Sequence, residues 1–212
     1  MRLCMEERSQ TVIVALYFDD FFIFYNDTCH VEKLKTARCS NIPTKDLGEV
    51  SECLCMRVTR TAVSVKLDRR AYCEKLLSKF EMLDCASAKT PIESGLLLRK
   101  SKDCPKAIGG LLYLSICTRP DIAYAVNYLS QFNYSYGKDR WHAVLRISGY
   151  LKETMEFGIN YSKSENDVAG FCDPSFANDL EGRKSESGYV FKLSNGPISW
   201  ESRKQGVLKR ST

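Results

Sequence analysis

The segment TVIVALYFDDFFIFYND, residues 11–27, places two adjacent aspartates inside an apolar and aromatic run. Its two halves, 11–18 and 21–25, are rich in β-branched and aromatic residues, and a two-residue gap between such runs is typical of a β-hairpin. Asp19 and Asp20 are therefore predicted at or beside a tight turn. Two neighbouring carboxylates repel each other and resist losing water, so this pair needs a compensating charge. Runs this apolar also predict strands that are covered on both faces.

The composition limits the class of protein. Of the 212 residues, 44% are hydrophobic, 27% charged and 11% aromatic, which is typical of globular chains of one or two domains. A formal net charge of +5 permits a polyanionic partner without requiring one. The apolar runs are shorter than the ~18 residues of a membrane span, so no membrane partner is predicted. The N-terminal MRLCMEERSQ lacks the apolar core of a secretory signal, which predicts an intracellular protein, cytoplasmic or nuclear, with reduced thiols.

The remaining patterns predict an α+β fold in four segments. Residues 1–66 hold the hairpin, a helix in VEKLKTARC and a second strand pair in CLCMRVTRTAVSVKL. Residues 67–105 begin with the helix DRRAYCEKLLSKFEML, for which Asp68 is the predicted N-cap, and continue into a linker with proline and glycine. Residues 106–156 predict three helices, and residues 157–212 return to strands.

Seven segments of the chain occur in the same order in one known family. They are YFDD, KDLGEV, LDRRAYCEKLLSKFEMLDC, KTPIESG, GGLLYLSICTRPDIAYAVNYLSQF, RWHAVLRISGYLKET and residues 170–205. Together they resemble the C-terminal part of the Pol polyprotein of copia-type LTR retrotransposons. The resemblance implies a partial reverse-transcriptase palm with its hairpin (1–66), a thumb-like helix and linker (67–105), a helical connection (106–156) and a truncated RNase H-like domain with an incomplete mixed sheet (157–212).

The resemblance also offers an explanation for the paired aspartates. In this family a YxDD hairpin of the palm, together with a third aspartate from an upstream strand, holds two Mg²⁺ ions for nucleotidyl transfer. Asp19 and Asp20 are therefore expected to be catalytic metal ligands, and carboxylate oxygens suit Mg²⁺. Tyr17 and Phe18 are expected to lie beneath the primer end. The alternative that the residues alone leave open is that the two aspartates only form a turn.

Further site residues follow from the same resemblance. In GFCDPSFAND, Asp173 matches the first of four metal-binding acids of RNase H, which is also a two-metal site. Asp179 is predicted to be a turn residue. Four basic residues of the thumb-like helix are expected to contact phosphates of an RNA/DNA template-primer or an RNA–DNA hybrid, with a solvated helix face as the alternative: Arg69, Arg70, Lys75 and Lys79.

One position departs from the family pattern. CLCMRV corresponds to a strand pair that grips the primer strand in the family, and the family usually has glycine where this chain has Cys55. A side chain at this position is expected to impede placement of the primer. A strand pair with only a structural role fits the residues equally well.

The extent of the chain predicts its activity. It starts ten residues before the hairpin and ends at KRST, so the fingers, the first palm aspartate and three RNase H acids are expected to be absent, and with them both activities. Two functions stay open. The chain is either a fragment or decayed copy of an RNA-directed DNA polymerase and RNase H, or a noncatalytic module that a host retains for binding nucleic acid or protein. The apolar hairpin, if uncovered, predicts aggregation or a protein partner.

Overall fold

The structure is a computed structural model that describes residues 2–7, 10–26, 28–41, 43–93, 105–131, 138–163, 167–175 and 184–206. Asp179 and residues 94–104 of the predicted linker lie outside these ranges. The chain forms two compact units, Met1–Val50 and Ser51–Thr212. Both combine helices with antiparallel sheets, which confirms the predicted α+β class. The predicted boundary at residues 66/67 falls inside a strand of the second unit.

The first unit is a three-stranded antiparallel sheet followed by a helix. The strands lie in the order β1 (Arg2–Glu7), β2 (Gln10–Tyr17) and β3 (Asp20–Tyr25), and the helix is α1 (Thr28–Asn41). β2 and β3 form the predicted hairpin, in which Tyr17 pairs with Asp20. The two-residue turn is therefore Phe18–Asp19, one residue earlier than the gap in the apolar run indicates.

The second unit contains two antiparallel sheets. One has the strand order β4 (Glu52–Cys53), β5 (Met56–Arg60), β6 (Ser64–Asp68) and β7 (Ile159–Ser162). The other has β9 (Glu186–Leu193) between β8 (Ala169–Ser175) and β10 (Gly196–Lys204). The helices are α2 (Arg70–Lys79), α3 (Pro105–Cys117), α4 (Ala123–Ser130) and α5 (Lys138–Glu153), and a 3₁₀ turn, Pro120–Ile122, precedes α4.

Strand β7 pairs with β6 rather than with the C-terminal strands. Ile159 lies opposite Leu67 and Ser162 opposite Ser64. Gly158 permits this approach, since a Cβ at that position would lie 2.4 Å from the Leu67 carbonyl oxygen. The segment predicted to open the C-terminal domain thus completes the sheet of residues 52–68.

The core of the second unit lies between its helices. The spacing that placed Leu76 and Leu77 on one face of α2 is confirmed, because both are buried. They join side chains of α3, α4 and α5, among them Ile108, Leu111, Leu114, Val126, Leu129, Val144, Ile147 and Leu151. The C-terminal sheet attaches to this core through Trp200, whose indole N–H donates to the Ser115 carbonyl oxygen at 2.8 Å. Among the described helices none has the length and apolar character that crossing a membrane requires.

The start of α2 corrects one prediction. Arg69, not Asp68, is the N-cap residue, and its side chain makes no capping hydrogen bond. Asp68 ends β6 and is completely buried. Its carboxylate accepts hydrogen bonds from the Arg57 guanidinium at 2.9 to 3.1 Å, as well as from the Arg70 backbone N–H at 3.2 Å. A buried carboxylate needs a charged partner, and the ion pair with Arg57 stabilises Asp68 in this buried position.

Candidate nucleic-acid interface

The tip of the β2–β3 hairpin presents both predicted aspartates to solvent. Asp19 lies in the turn and Asp20 begins β3 opposite Tyr17. Phe18 is 84% exposed and adopts a φ of 50°, a region that side chains disfavour. Its ring packs edge-on against the Tyr17 ring, with 4.9 Å between centroids. The structure therefore brings the four residues of YFDD together at one exposed turn.

The hairpin leaves much of its apolar surface in solvent. The large exposed side chains of this part are Leu16, Tyr17, Phe18, Phe21, Phe24 and Tyr25. Helix α1 packs on β3 through Arg38, whose guanidinium lies 4.3 Å from the centre of the Phe21 ring. The prediction that both faces of these strands are covered is wrong within the described first unit. The reason is that a single helix layer can cover only one face of a sheet.

Asp19 and Asp20 carry the kind of oxygen donor that a magnesium ion prefers. Mg²⁺ prefers oxygen ligands in octahedral geometry and usually retains several waters. Two exposed carboxylates fit this donor chemistry. Among the described residues, however, no group of three or more His, Cys, Asp or Glu side chains lies close enough together to hold a metal ion. The other ligands of a Mg²⁺ ion at this turn would have to be water, nucleotide phosphates or acids that the described residues do not place there.

Asp173 lies in the second unit, on the outer strand β8 of the C-terminal sheet. It is exposed and pairs with Gly188 of β9. Phe171, two residues earlier, shares its face of the sheet because side chains alternate along a strand. The Lys192 ammonium lies 5.6 Å from the centre of the Phe171 ring. Asp173 is thus solvent-accessible on β8, the strand that the resemblance compares with the first RNase H strand.

Three of the four predicted basic residues project from α2 into solvent: Arg70, Lys75 and Lys79. Arg70 forms ion pairs with Glu74, at 2.8 Å, and with Glu156. These two carboxylates raise the pKa of the Arg70 guanidinium. The ion pairs are exposed and therefore weak, so a phosphate group could compete for Arg70.

Arg69 is placed differently from its neighbour. It is only 6% exposed. Its guanidinium donates to the Tyr113 hydroxyl at 2.7 Å and to the Leu54 carbonyl oxygen at 2.7 Å, and it lies 4.5 Å from the centre of the Tyr113 ring. This burial does not fit the predicted phosphate contact of Arg69. The sequence carries no signal of these contacts, because the partners are 44 and 15 positions away.

The geometry of the turn between β4 and β5 favours glycine at position 55. Cys53 pairs with Met56, so Leu54 and Cys55 form a two-residue turn, with φ of 52° and 58°. Two consecutive positive φ angles define a type I′ turn, in which glycine is strongly preferred. Cys55 therefore carries its exposed side chain in a strained backbone conformation at the position where the resemblance leads us to expect glycine.

Comparison with known proteins shows which class these features belong to. Residues 3–94, which include the hairpin and the β4–β5 turn, match the family described as reverse transcriptase (RNA-dependent DNA polymerase). The retrovirus-related Pol polyprotein from transposon TNT 1-94 of Nicotiana tabacum is 35% identical over 95% of this chain and 16% of its own length. The retrovirus-related Pol polyprotein from transposon RE2 of Arabidopsis thaliana is 32% identical over 97% of this chain and 15% of its own length.

A shorter relative is similar over most of its length. An uncharacterized mitochondrial protein of Arabidopsis thaliana is 30% identical over 94% of this chain and 86% of its own length. No solved structure matches the chain. The match over residues 3–94 defines this part of the chain as a fragment of the reverse transcriptase class. The chain belongs to the family of copia-type retrotransposon Pol polyproteins, as the motifs predict, and spans about one sixth of the Pol polyproteins named above.

Proposed function

We propose that this chain is the part of a retrotransposon Pol polyprotein that carries the metal-binding hairpin of the RNA-directed DNA polymerase and the first metal-binding acid of RNase H. The observation that carries the proposal is the exposed turn at which Asp19 and Asp20 stand side by side, next to Tyr17. The family match over residues 3–94 supports the polymerase part. The proposed partner is an RNA/DNA template-primer or an RNA–DNA hybrid, in an intracellular setting, cytoplasmic or nuclear.

The chemistry of the hairpin follows from its own residues. Asp19 and Asp20 would hold Mg²⁺ through carboxylate oxygens, and bound Mg²⁺ would supply the positive charge that nucleotidyl transfer requires. The two carboxylates lie at the tip of the hairpin, because Asp19 is in the turn and Asp20 is the first residue of β3. Tyr17 and Phe18, packed edge to face, form an apolar surface on which the primer end can rest. Asp173 would have the corresponding ligand role in hydrolysis of the RNA strand.

Activity is proposed for the longer polyprotein rather than for these 212 residues alone. Two-metal catalysis needs its full set of ligands, and within the described ranges no third acid joins Asp19 and Asp20. The exposed cations of α2, Arg70, Lys75 and Lys79, would add phosphate contacts that position the nucleic acid without reading its sequence.

A metal-binding measurement on a longer Pol segment tests this proposal. The segment would extend the chain upstream so that a further palm acid is included, and Mg²⁺ uptake would be followed by calorimetry alongside primer extension. Changing both Asp19 and Asp20 to Asn is expected to abolish uptake at the polymerase site and primer extension. Asp46→Asn is the matched control, because Asp46 is an exposed acid of the same unit that pairs with Lys35. Uptake and extension that survive the double change would refute the metal role of the hairpin.

A noncatalytic binding module is the second candidate function. One observation favours it, since the chain covers 86% of the short mitochondrial relative but only 16% of the TNT 1-94 polyprotein. The exposed rings of the hairpin, such as Phe18 and Phe24, would then form the contact surface for a protein partner. Measuring the affinity of the 212-residue chain for a primer-template duplex distinguishes a module that binds nucleic acid from one that binds only protein. Phosphate contacts are strongest at low salt, so no affinity at low salt would exclude it.

A further inference from the structure

The β4–β5 turn is held in a conformation that its own residues disfavour. Leu54 and Cys55 both have positive φ, and neither is glycine, asparagine or aspartate. Such a conformation persists only where surrounding contacts stabilise it. The hairpin around the turn is short, since β4 pairs with β5 through Glu52–Arg57 and Cys53–Met56, and the Val58 N–H donates to the Ser51 carbonyl oxygen beyond them.

One contact that reaches this turn from outside the hairpin comes from Arg69. Its guanidinium donates to the Leu54 carbonyl oxygen at 2.7 Å, within the turn itself. The second donor of the same group reaches the hydroxyl of Tyr113 on α3, also at 2.7 Å. The Tyr113 ring packs edge-on against Tyr72 of α2, with 5.2 Å between centroids. The turn is thereby tied through one side chain to the start of α2 and to the middle of α3.

Stability alone does not explain an arginine at this position. Arg69 is buried, yet within the part of the chain that the structure describes its Nε has no hydrogen-bond partner. Among the described residues no carboxylate pairs with Arg69, whereas buried Arg119 pairs with Asp121. A buried cation without an anion is costly. An apolar side chain would fill the site without that cost.

We infer that Arg69 is a positioning residue that holds the Leu54–Cys55 turn in its left-handed conformation. Its functional consequence rests on the proposed function and on the family resemblance, which implies that the strand pair with this turn grips the primer strand. Arg69 then acts on nucleic acid through the turn, whereas its exposed neighbour Arg70 acts by direct contact with phosphate. The two adjacent arginines therefore have separate roles.

Hydrogen exchange on the full 212-residue chain tests the positioning role. Arg69→Met removes both donors and keeps an unbranched side chain of similar length. Exchange of the amides in a peptide covering Cys53–Arg57 is expected to become about tenfold faster, because a charged hydrogen bond to the turn is lost. A peptide from the α3 core around Leu111 should be unchanged, and Arg70→Met should leave both peptides unchanged. Unchanged turn exchange in Arg69→Met, or equal acceleration of turn and core, would overturn the inference.

A conservative variant covers the case in which Arg69→Met fails to fold. Arg69→Lys keeps the charge but cannot reach Tyr113 and Leu54 with two donors held in one plane. It is expected to accelerate exchange in the same turn peptide, with the α3 peptide unchanged. Turn exchange identical to that of the unchanged protein would overturn the positioning role.

Binding to a primer-template duplex separates this inference from the proposed function. Arg69→Met is expected to weaken binding while the dependence of log affinity on log salt keeps its slope, since no phosphate contact is lost. Arg70→Met is expected to lower that slope by about one. If the turn loosens in Arg69→Met but affinity does not change, the positioning role stands and the proposed contact between turn and primer fails.

Discussion

Replacing Cys55 with glycine is expected to stabilise the second unit. Cys55 has a φ of 58°, and a left-handed conformation costs a residue with a side chain roughly 1–2 kcal/mol. The Cys55 side chain is exposed, so its removal sacrifices no packing in the core. Glycine loses more chain entropy on folding, which offsets roughly 0.5–1 kcal/mol of the gain. The net expectation is a rise of about 0.5–1 kcal/mol in the free energy of unfolding.

Chemical and thermal denaturation measure this change. For a domain of this size, about 1 kcal/mol corresponds to a shift of roughly 2–4 °C in Tm, so an increase of about 1–4 °C is expected. Cys55→Ala is the matched control, because it removes the thiol but keeps the Cβ that the left-handed region disfavours. It should give no gain.

Two results would refute the reasoning about this turn. One is a Cys55→Gly protein that is no more stable than the unchanged chain, and the other is an equal gain from Cys55→Ala. The same pair of variants tests the expectation that a side chain here impedes the primer. Cys55→Gly alone should bind a primer-template duplex more tightly.

Three further changes test the packing of the second unit and its dependence on pH. Arg119→Met removes an ion pair with the partly exposed Asp121 and the hydrogen bonds to Thr154, which follows α5, so urea denaturation should show a loss of about 2–3 kcal/mol. Gly149→Ala would place a Cβ 2.1 Å from the Ala86 carbonyl oxygen, so the same measurement should show a loss of about 1–3 kcal/mol. Gly109→Ala is the control and should lose no stability, because the space around Gly109 is open. Burial raises the pKa of the Cys73 thiol from 9.0 to about 11, so the unfolded chain releases this proton first. The contribution of Cys73 to the free energy of unfolding should therefore be full below pH about 9 and fall by about 2 kcal/mol towards pH 11, so Cys73→Ala should lose about 2 kcal/mol less than the unchanged chain over this range.

Much of the local structure can be predicted from the order of residues. The hairpin around Asp19 and Asp20 follows from two apolar runs separated by a two-residue gap, and the helix that contains Leu76 and Leu77 follows from a periodicity of 3.6 residues. These patterns depend only on neighbours along the chain. The motifs that indicate the family are also short segments of sequence, so they can be recognised without a structure. Comparison with known proteins confirms the copia-type resemblance that they predict.

Other properties depend on contacts between segments that are far apart in the chain. Arg69 and Arg70 are adjacent and carry the same charge, yet one is buried against Tyr113 and the other is exposed. Strand β7 joins β6 because Gly158 permits a close approach of two backbones. A periodic pattern shows which side of an element is apolar, but the partner on that side is decided by how distant segments pack. The sequence by itself therefore determined the elements and the family, and tertiary packing decided which of the predicted site residues are accessible.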